Sequence, residues 1–228
     1  MYSLKQTILK YFPVNHFQSF RSYSQEGEDM VLRSFYEGKK NYKGFYIDIG
    51  AHHPYRYSNT NFFYKNGWRG INIEPTPRAI KAFNIFRRKD VNLNIGISDK
   101  SGKMLFYCFN EPALNGFSKE VSEERNKSSD KYKIINEIEV EVHPLSYVLD
   151  KYLPENKQID FFSIDVEGLD LQVLQSNNWE KYRPAYILVE DSINFTTLEN
   201  SEVNSYLEKQ GYHLIAKTMR TLFYSLQR

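Results

Sequence analysis

Short apolar runs bounded by glycine and polar turns recur along this chain, and stretches of helical period separate them. Residues 45–49, Phe-Tyr-Ile-Asp-Ile, read as a buried strand that ends in a tight turn at Gly50. Further strands are predicted over 70–74, 91–97, 103–109, 137–143, 160–164 and 186–189. In 91–97 the side chains of Val91, Leu93, Ile95 and Ile97 share one side. Helices are predicted over 57–66, 75–87, 145–152, 169–176 and 200–210, with Gly67 and Gly211 as C-terminal stops. A helix over 24–37 precedes the first strand; Ser24 is placed as its N-cap, and Glu26 and Glu28 occupy the first turn, where the helix dipole favours acids. The segments 213–217 and 221–225 close the pattern as a hairpin. Residues 110–131 are polar and without period, and a stretch of that length predicts a mobile lid loop. Leu4, Ile8 and Leu9 share one face of a short N-terminal helix, so residues 1–40 are expected to form a helical cap on the body or on a second copy in a homo-oligomer.

Alternating strands and helices argue an open α/β sheet, mostly parallel, with helices on both faces. No internal repeat or linker divides the sequence, so residues 1–228 are read as one domain. Four strands end at carboxylates: Asp48, Glu74, Asp165 and Glu190. In such sheets ligands bind beyond the carboxyl ends of the strands. Gly50 lets backbone approach a ligand, and Glu74 is placed to accept from two ribose hydroxyls. The turn carries neither G-x-G-x-x-G nor a following Lys-Ser/Thr, so it is not built to cradle a pyrophosphate or triphosphate. A ribose-bearing ligand without phosphate there points to S-adenosylmethionine rather than NAD or ATP.

Composition narrows the picture by exclusion. Thirty basic against 28 acidic residues give a formal charge of +2 without any block of like charge, which argues against nucleic acid or an anionic membrane as partner. One cysteine, Cys108, excludes an internal disulfide and a cysteine-based zinc site, and fits a reducing cytoplasm. No apolar run approaches the roughly 18 residues of a membrane span, and the first ten residues lack a signal-peptide core.

Five segments carry a family likeness: Tyr23-Ser-Gln-Glu-Gly-Glu-Asp29, Asp48-Ile-Gly-Ala-His-His-Pro-Tyr-Arg-Tyr-Ser-Asn59, Trp68-Arg-Gly-Ile-Asn-Ile-Glu-Pro75, Asn110-Glu-Pro-Ala-Leu-Asn115 and Ser163-Ile-Asp-Val-Glu-Gly168. With these the chain resembles the FkbM family of S-adenosylmethionine-dependent methyltransferases. The resemblance implies the class I methyltransferase fold, a Rossmann-like seven-stranded sheet whose last strand is antiparallel. It also implies O-methylation of hydroxyls, commonly on sugars or polyketides. Carried onto this sequence, it puts Asp48 and Gly50 at the methionine pocket, Glu74 on the ribose and Ser98 near the adenine. It puts Tyr23 and Gln25 toward the cofactor carboxylate and Asp165 between cofactor and acceptor.

An alcohol loses a proton as it attacks a methyl group, so a base nearby accelerates transfer by about 10²–10⁴-fold. Asp165 is the first candidate; His52 follows, with an unperturbed imidazole suited to base work near neutrality, and His53 stands beside it. Tyr57, Asn110, Asn115 and Glu190 have the chemistry to bind an acceptor. Glu167 and Asp170 read as caps of the helix after the 160–164 strand. Asp165, Glu190 and Asp191 offer an oxygen set for Mg²⁺, but their spacing is no dedicated metal motif, so a metal-free site is expected. The expected acceptor is a carbohydrate hydroxyl, on a nucleotide-linked or surface-polysaccharide sugar. A small phenolic, polyketide or phosphoryl acceptor stands as the alternative, as does an inactive nucleoside-binding module.

Overall fold

The computed structural model describes residues 19–226; the Leu4, Ile8 and Leu9 face lies outside the described residues. At the centre is β1 (Phe45–Ile49), buried at all five positions, as a strand covered on both faces must be. It pairs in parallel with β2 (Arg69–Ile73) on one side and β7 (Phe161–Ile164) on the other. Beyond β2 lies β3 (Val91–Leu93); beyond β7 lie β8 (Tyr186–Glu190), β10 (Thr221–Leu226) and β9 (Tyr212–Lys217). β10, last in sequence, runs antiparallel to both neighbours. This is the seven-stranded sheet expected from the sequence.

Strand alternation sends side chains to two apolar layers. Ile47, Ile49, Phe162, Ile164, Ile187 and Val189 meet the buried faces of α5 (Leu145–Tyr152), α6 (Asp170–Gln175) and α7 (Glu202–Lys209). On the other face Tyr46, Phe161, Leu188 and Phe223 pack with Phe63 and Trp68, and with Leu32 of α1 (Glu28–Ser34) and Tyr36. Here much of the aromatic content is core: Tyr36, Phe63, Trp68 and Phe161 form edge-to-face and tilted ring contacts. Two further helices cover the β1–β2–β3 side, α2 (Asn61–Lys65) and α3 (Pro77–Phe86), which opens on Pro77. Among the described residues no helix is long and apolar enough to cross a membrane.

Four expectations need correction. The 91–97 strand is two: after β3 the Asn94 amide donates to the Glu74 and Pro75 carbonyls, turning the chain away. β4 (Gly96–Ile97) then joins a second sheet with β6 (Ile134–His143) and β5 (Gly102–Phe109). The 110–131 stretch is not a structureless lid. It holds a 3₁₀ turn at Pro112–Leu114 and α4 (Lys119–Ser128), whose N-cap hydroxyl, Ser118, accepts from the Val121 N–H. The helix predicted from 57 begins at Asn61, because Tyr57 takes a left-handed φ of 53°. Ser24 does not cap α1; Gly27 does, and the Ser24 hydroxyl is bonded to Asp29.

Candidate active site

A cavity of about 620 Å³ opens beyond the carboxyl ends of β1, β2, β7 and β8. All four strand-end carboxylates predicted to converge there, Asp48, Glu74, Asp165 and Glu190, line it. The small sheet and the 110–128 segment form its opposite wall. Phe106 and Phe117 pack together there with Val140, Val142 and Leu169, while Arg125 of α4 reaches across to Glu167 at 2.9 Å.

The β1 turn is shaped by glycine. Gly50 has φ 76°, and a Cβ added to it would stand 1.8 Å from the Asp165 carbonyl oxygen. The turn and the β7 end are thus in direct backbone contact. Glu74 fixes the turn from the other side: its Oε2 accepts from the His52 N–H and its Oε1 from the Thr76 N–H, both at 2.7 Å. Burial pushes the Glu74 carboxyl above the usual range, against these bonds. Each oxygen keeps a lone pair for a further donor. Asp48 lies deeper. Its carboxyl, also raised by burial, accepts from the Thr60 hydroxyl at 2.5 Å. Thr60 in turn meets the wholly buried Arg87, which also donates to Ser58 and to the Pro54 carbonyl. This network, invisible in the sequence, holds the 54–60 loop over the cavity.

The acidic end is built from β7, β8 and the loop before α6. Oxygens of Asp165, Glu167 and Glu190 lie within 4.8 Å of one another. Asp165 is open to the cavity yet walled in by protein. That confinement, then Glu190, Glu167 and Asp170, holds its pKa well above the ordinary carboxylate range. Glu167 is raised as well, by burial and by Glu190, while Arg125 opposes the shift. Burial likewise brings Asp170 to about 7, although it accepts from the Val166 and Gly168 N–H groups. Asp170 is thus not the side-chain cap expected of it: it is the first residue of α6, whose N-cap is Leu169, and its carboxylate ties down the loop before the helix. Nor is Glu167: its φ of 54°, strained for a residue with a side chain, goes with a carboxylate turned to Arg125 and the cavity.

The other predicted residues divide. Gln25, His52, Tyr57, Asn115 and Gly50 line the cavity. His52 has φ 53° and a sealed Nε2 without a partner among the described residues; burial and Arg56 lower its pKa to about 4, so it is neutral near pH 7. Tyr57 stacks on it at 6.2 Å. The Asn115 amide is committed to the Phe109 N–H and the Thr76 hydroxyl. Tyr23, His53, Ser98 and Asn110 do not line the cavity. The Tyr23 N–H binds Asp29 and its hydroxyl takes Lys65. His53 Nδ1 accepts from the Tyr55 and Arg56 N–H groups within its own turn. Ser98 is buried against the His143 carbonyl and Asp99, displaced by the β3–β4 break. Asn110 clasps the Lys131 carbonyl and Lys133 N–H across the base of the 110–133 excursion. Asp191 does not join the acid cluster, since its oxygens accept from the Ile193 N–H and the Ser201 hydroxyl. Among the described residues the set that could hold a divalent cation is Asp165, Glu167 and Glu190.

Residues 48–214 match the methyltransferase FkbM domain, the greater part of the chain. The chain belongs to the FkbM methyltransferase family. Among solved structures it is similar to the FkbM methyltransferase of Methylobacillus flagellatus KT, at 14% identity and a TM-score of 0.53, over 89% of this chain and 48% of that one. This FkbM family member thus spans about half the length of that protein, and the likeness is one of fold. The precorrin-6y C5,15-methyltransferase of Geobacter metallireducens GS-15 also matches, at 12% identity and a TM-score of 0.43, over 88% of this chain and 87% of that one. No curated protein matches. Membership in a methyltransferase family implies S-adenosylmethionine as methyl donor.

Proposed function

We propose that this protein is an S-adenosylmethionine-dependent O-methyltransferase that acts on a hydroxyl of a carbohydrate, nucleotide-linked or polymeric, with Asp165 as the proton acceptor. The observation that carries the reading is the contact of the Gly50 turn with Asp165. A Cβ at Gly50 would meet the Asp165 backbone at 1.8 Å, so the donor turn and the raised carboxyl are neighbours in one cavity. The residues fit the donor. Gly50 leaves a cradle open, Glu74 keeps lone pairs for ribose hydroxyls, and Ile95, Ile97, Phe106 and Leu169 line an apolar slot for a purine.

S-adenosylmethionine, when bound, supplies an electrophilic methyl group on a sulfonium. Asp165 takes the hydroxyl proton as the acceptor oxygen attacks, a contribution of about 10²–10⁴-fold. Its raised pKa makes it a stronger base than an ordinary carboxylate. The Glu190 carboxylate stands beside it, with an oxygen within 4.8 Å. The turn around Gly50 and the strand end at Asp165 fix donor and acceptor against each other, and positioning supplies much of the remaining rate. Calorimetric titration with S-adenosylhomocysteine, followed by methyl-acceptance assays on glycosides and nucleotide-linked sugars, tests the reading. Micromolar binding and transfer to a sugar hydroxyl are expected. Absence of S-adenosylhomocysteine binding would remove it, and transfer only to phenolic or polyketide hydroxyls would replace the acceptor class.

A further inference from the structure

The β9–β10 turn brings Arg220 to the cavity beside the acid cluster. Its backbone is fixed: the N–H donates to Glu26 Oε2 at 3.1 Å, and the carbonyl accepts from the Asp191 N–H at 2.7 Å. Thr221, next in the chain, is the register partner of Glu190. The guanidinium is another matter. It is 48% exposed, and its one polar contact among the described residues is a 3.7 Å ion pair to Glu26, too long for a hydrogen bond. Its five N–H donors are therefore open.

The other two cavity arginines are committed. Arg56 grips Glu111 bidentately at 3.0 and 3.1 Å, and Arg125 binds Glu167 and the Leu114 carbonyl. Two more donors border Arg220. Gln25 precedes Glu26, and Ser192 follows Asp191; both line the cavity, and neither side chain makes a hydrogen bond among the described residues. An open guanidinium, amide and hydroxyl thus stand next to carboxylates that can only accept while ionised. A polyhydroxylated ring, which donates and accepts at every hydroxyl, matches both halves. A phosphate or carboxylate does not, because Glu26, Glu28, Asp165, Glu167 and Glu190 outnumber Arg125 and Arg220 at this end.

We propose that Arg220, flanked by Gln25 and Ser192, is a specificity-determining residue that donates to the oxygens of a neutral pyranose unit and sets a neighbouring hydroxyl against Asp165. The proposal rests on the carbohydrate reading and narrows it, favouring a glycan unit over a sugar whose phosphate enters this end. Gln25, expected on the cofactor, then serves the acceptor.

The test uses the full chain saturated with S-adenosylhomocysteine. Saturation-transfer NMR and calorimetry would compare the methyl glycosides of glucose, galactose and mannose with glucose 1-phosphate and glucuronate. Wild type is expected to bind at least one methyl glycoside more tightly than either anion. Arg220→Met should weaken that binding about tenfold or more while S-adenosylhomocysteine affinity and Tm hold. Equal glycoside affinity in Arg220→Met, or tighter binding of the anions, would overturn the proposal and leave the carbohydrate reading standing. Loss of S-adenosylhomocysteine affinity in the variant would move Arg220 to the donor end and overturn it too. If no saccharide binds the loaded wild type, the carbohydrate reading falls and takes this proposal with it.

Discussion

Replacing Asp165 with Asn should lower activity and raise stability together. Asn is nearly isosteric, so packing against the Gly50 turn is kept, but the proposed proton acceptor is gone. Turnover should fall about 10²–10³-fold while S-adenosylhomocysteine affinity changes little. The stability effect follows from the acid cluster. Carboxylate oxygens within 4.8 Å of one another repel by about 3 kcal/mol or more at an effective dielectric of about 20. Cavity water, Arg125 and partial protonation cut this to a net gain of about 1–2 kcal/mol for the neutral variant. For a chain of this size that is roughly 2–8 °C in Tm. The pH dependence gives a second readout. The folded-state pKa of Asp165 is raised, so its contribution to stability is fully present below the unfolded carboxylate value and is lost as pH rises through the folded value. The advantage of Asp165→Asn should therefore appear at neutral and alkaline pH and vanish toward pH 4. Single-turnover kinetics and calorimetric melting between pH 4 and 8 measure both effects. Near-wild-type turnover would remove Asp165 from proton transfer; a lower Tm at pH 7 would show it to be a favourable hydrogen-bonding group rather than a repelled acid.

Other substitutions test the scaffold around it. Gly50→Ala must place a Cβ against the Asp165 carbonyl at a left-handed φ, so a loss of about 3 kcal/mol or more is expected from urea unfolding. A midpoint close to wild type would mean that the two strand ends can separate freely. Glu74→Gln turns an amide toward the His52 and Thr76 N–H groups, and calorimetry should show S-adenosylhomocysteine affinity falling about 10–100-fold; unchanged affinity would place the ribose elsewhere. Arg87→Met strands Asp48 and Thr60 in the interior and should cost about 3–5 kcal/mol by denaturant unfolding. A loss below about 1 kcal/mol would show that the buried network relaxes around the gap.

The central strands were legible because each is a short apolar run closed by glycine or an acid, and burial on both faces leaves little else for Phe45–Ile49 or Phe161–Ile164 to be. Their terminal acids could be placed on one rim from topology alone. What escaped was set by side-chain bonds across the chain. Asn94, an ordinary polar residue in an alternating run, ends β3 by bonding two distant carbonyls. α4 reads as solvated polar loop because it buries little, yet its signals were present: a Ser N-cap and the i,i+4 pairs Lys119–Glu123 and Glu123–Lys127. Arg87 and Arg220 look alike in sequence, and only packing separates a fully buried network from an open fork.

The positive-φ residues argue that the cavity was shaped at the expense of local comfort. Among the described residues five other than glycine take such angles, and three of them, Asn41, Asn156 and His52, belong to types that tolerate it better. His52, Tyr57 and Glu167 all line the cavity, the first two in the segment after β1 and Glu167 in the loop after β7. Each is over-determined by its surroundings: His52 by Glu74 through its backbone N–H, Tyr57 by the Arg87-anchored loop, and Glu167 by Arg125. Strain of about 1–3 kcal/mol at each, added to raised carboxyl pKa values at Asp165, Glu167 and Asp170, means that this end of the sheet is held in place by the rest of the fold. The aromatic layer under β1 and β7 supplies that support. A chain optimised for stability alone would not crowd three acids and three left-handed backbone positions around one cavity, whereas a methyltransferase that must hold a sulfonium donor against its acceptor has a use for all of them.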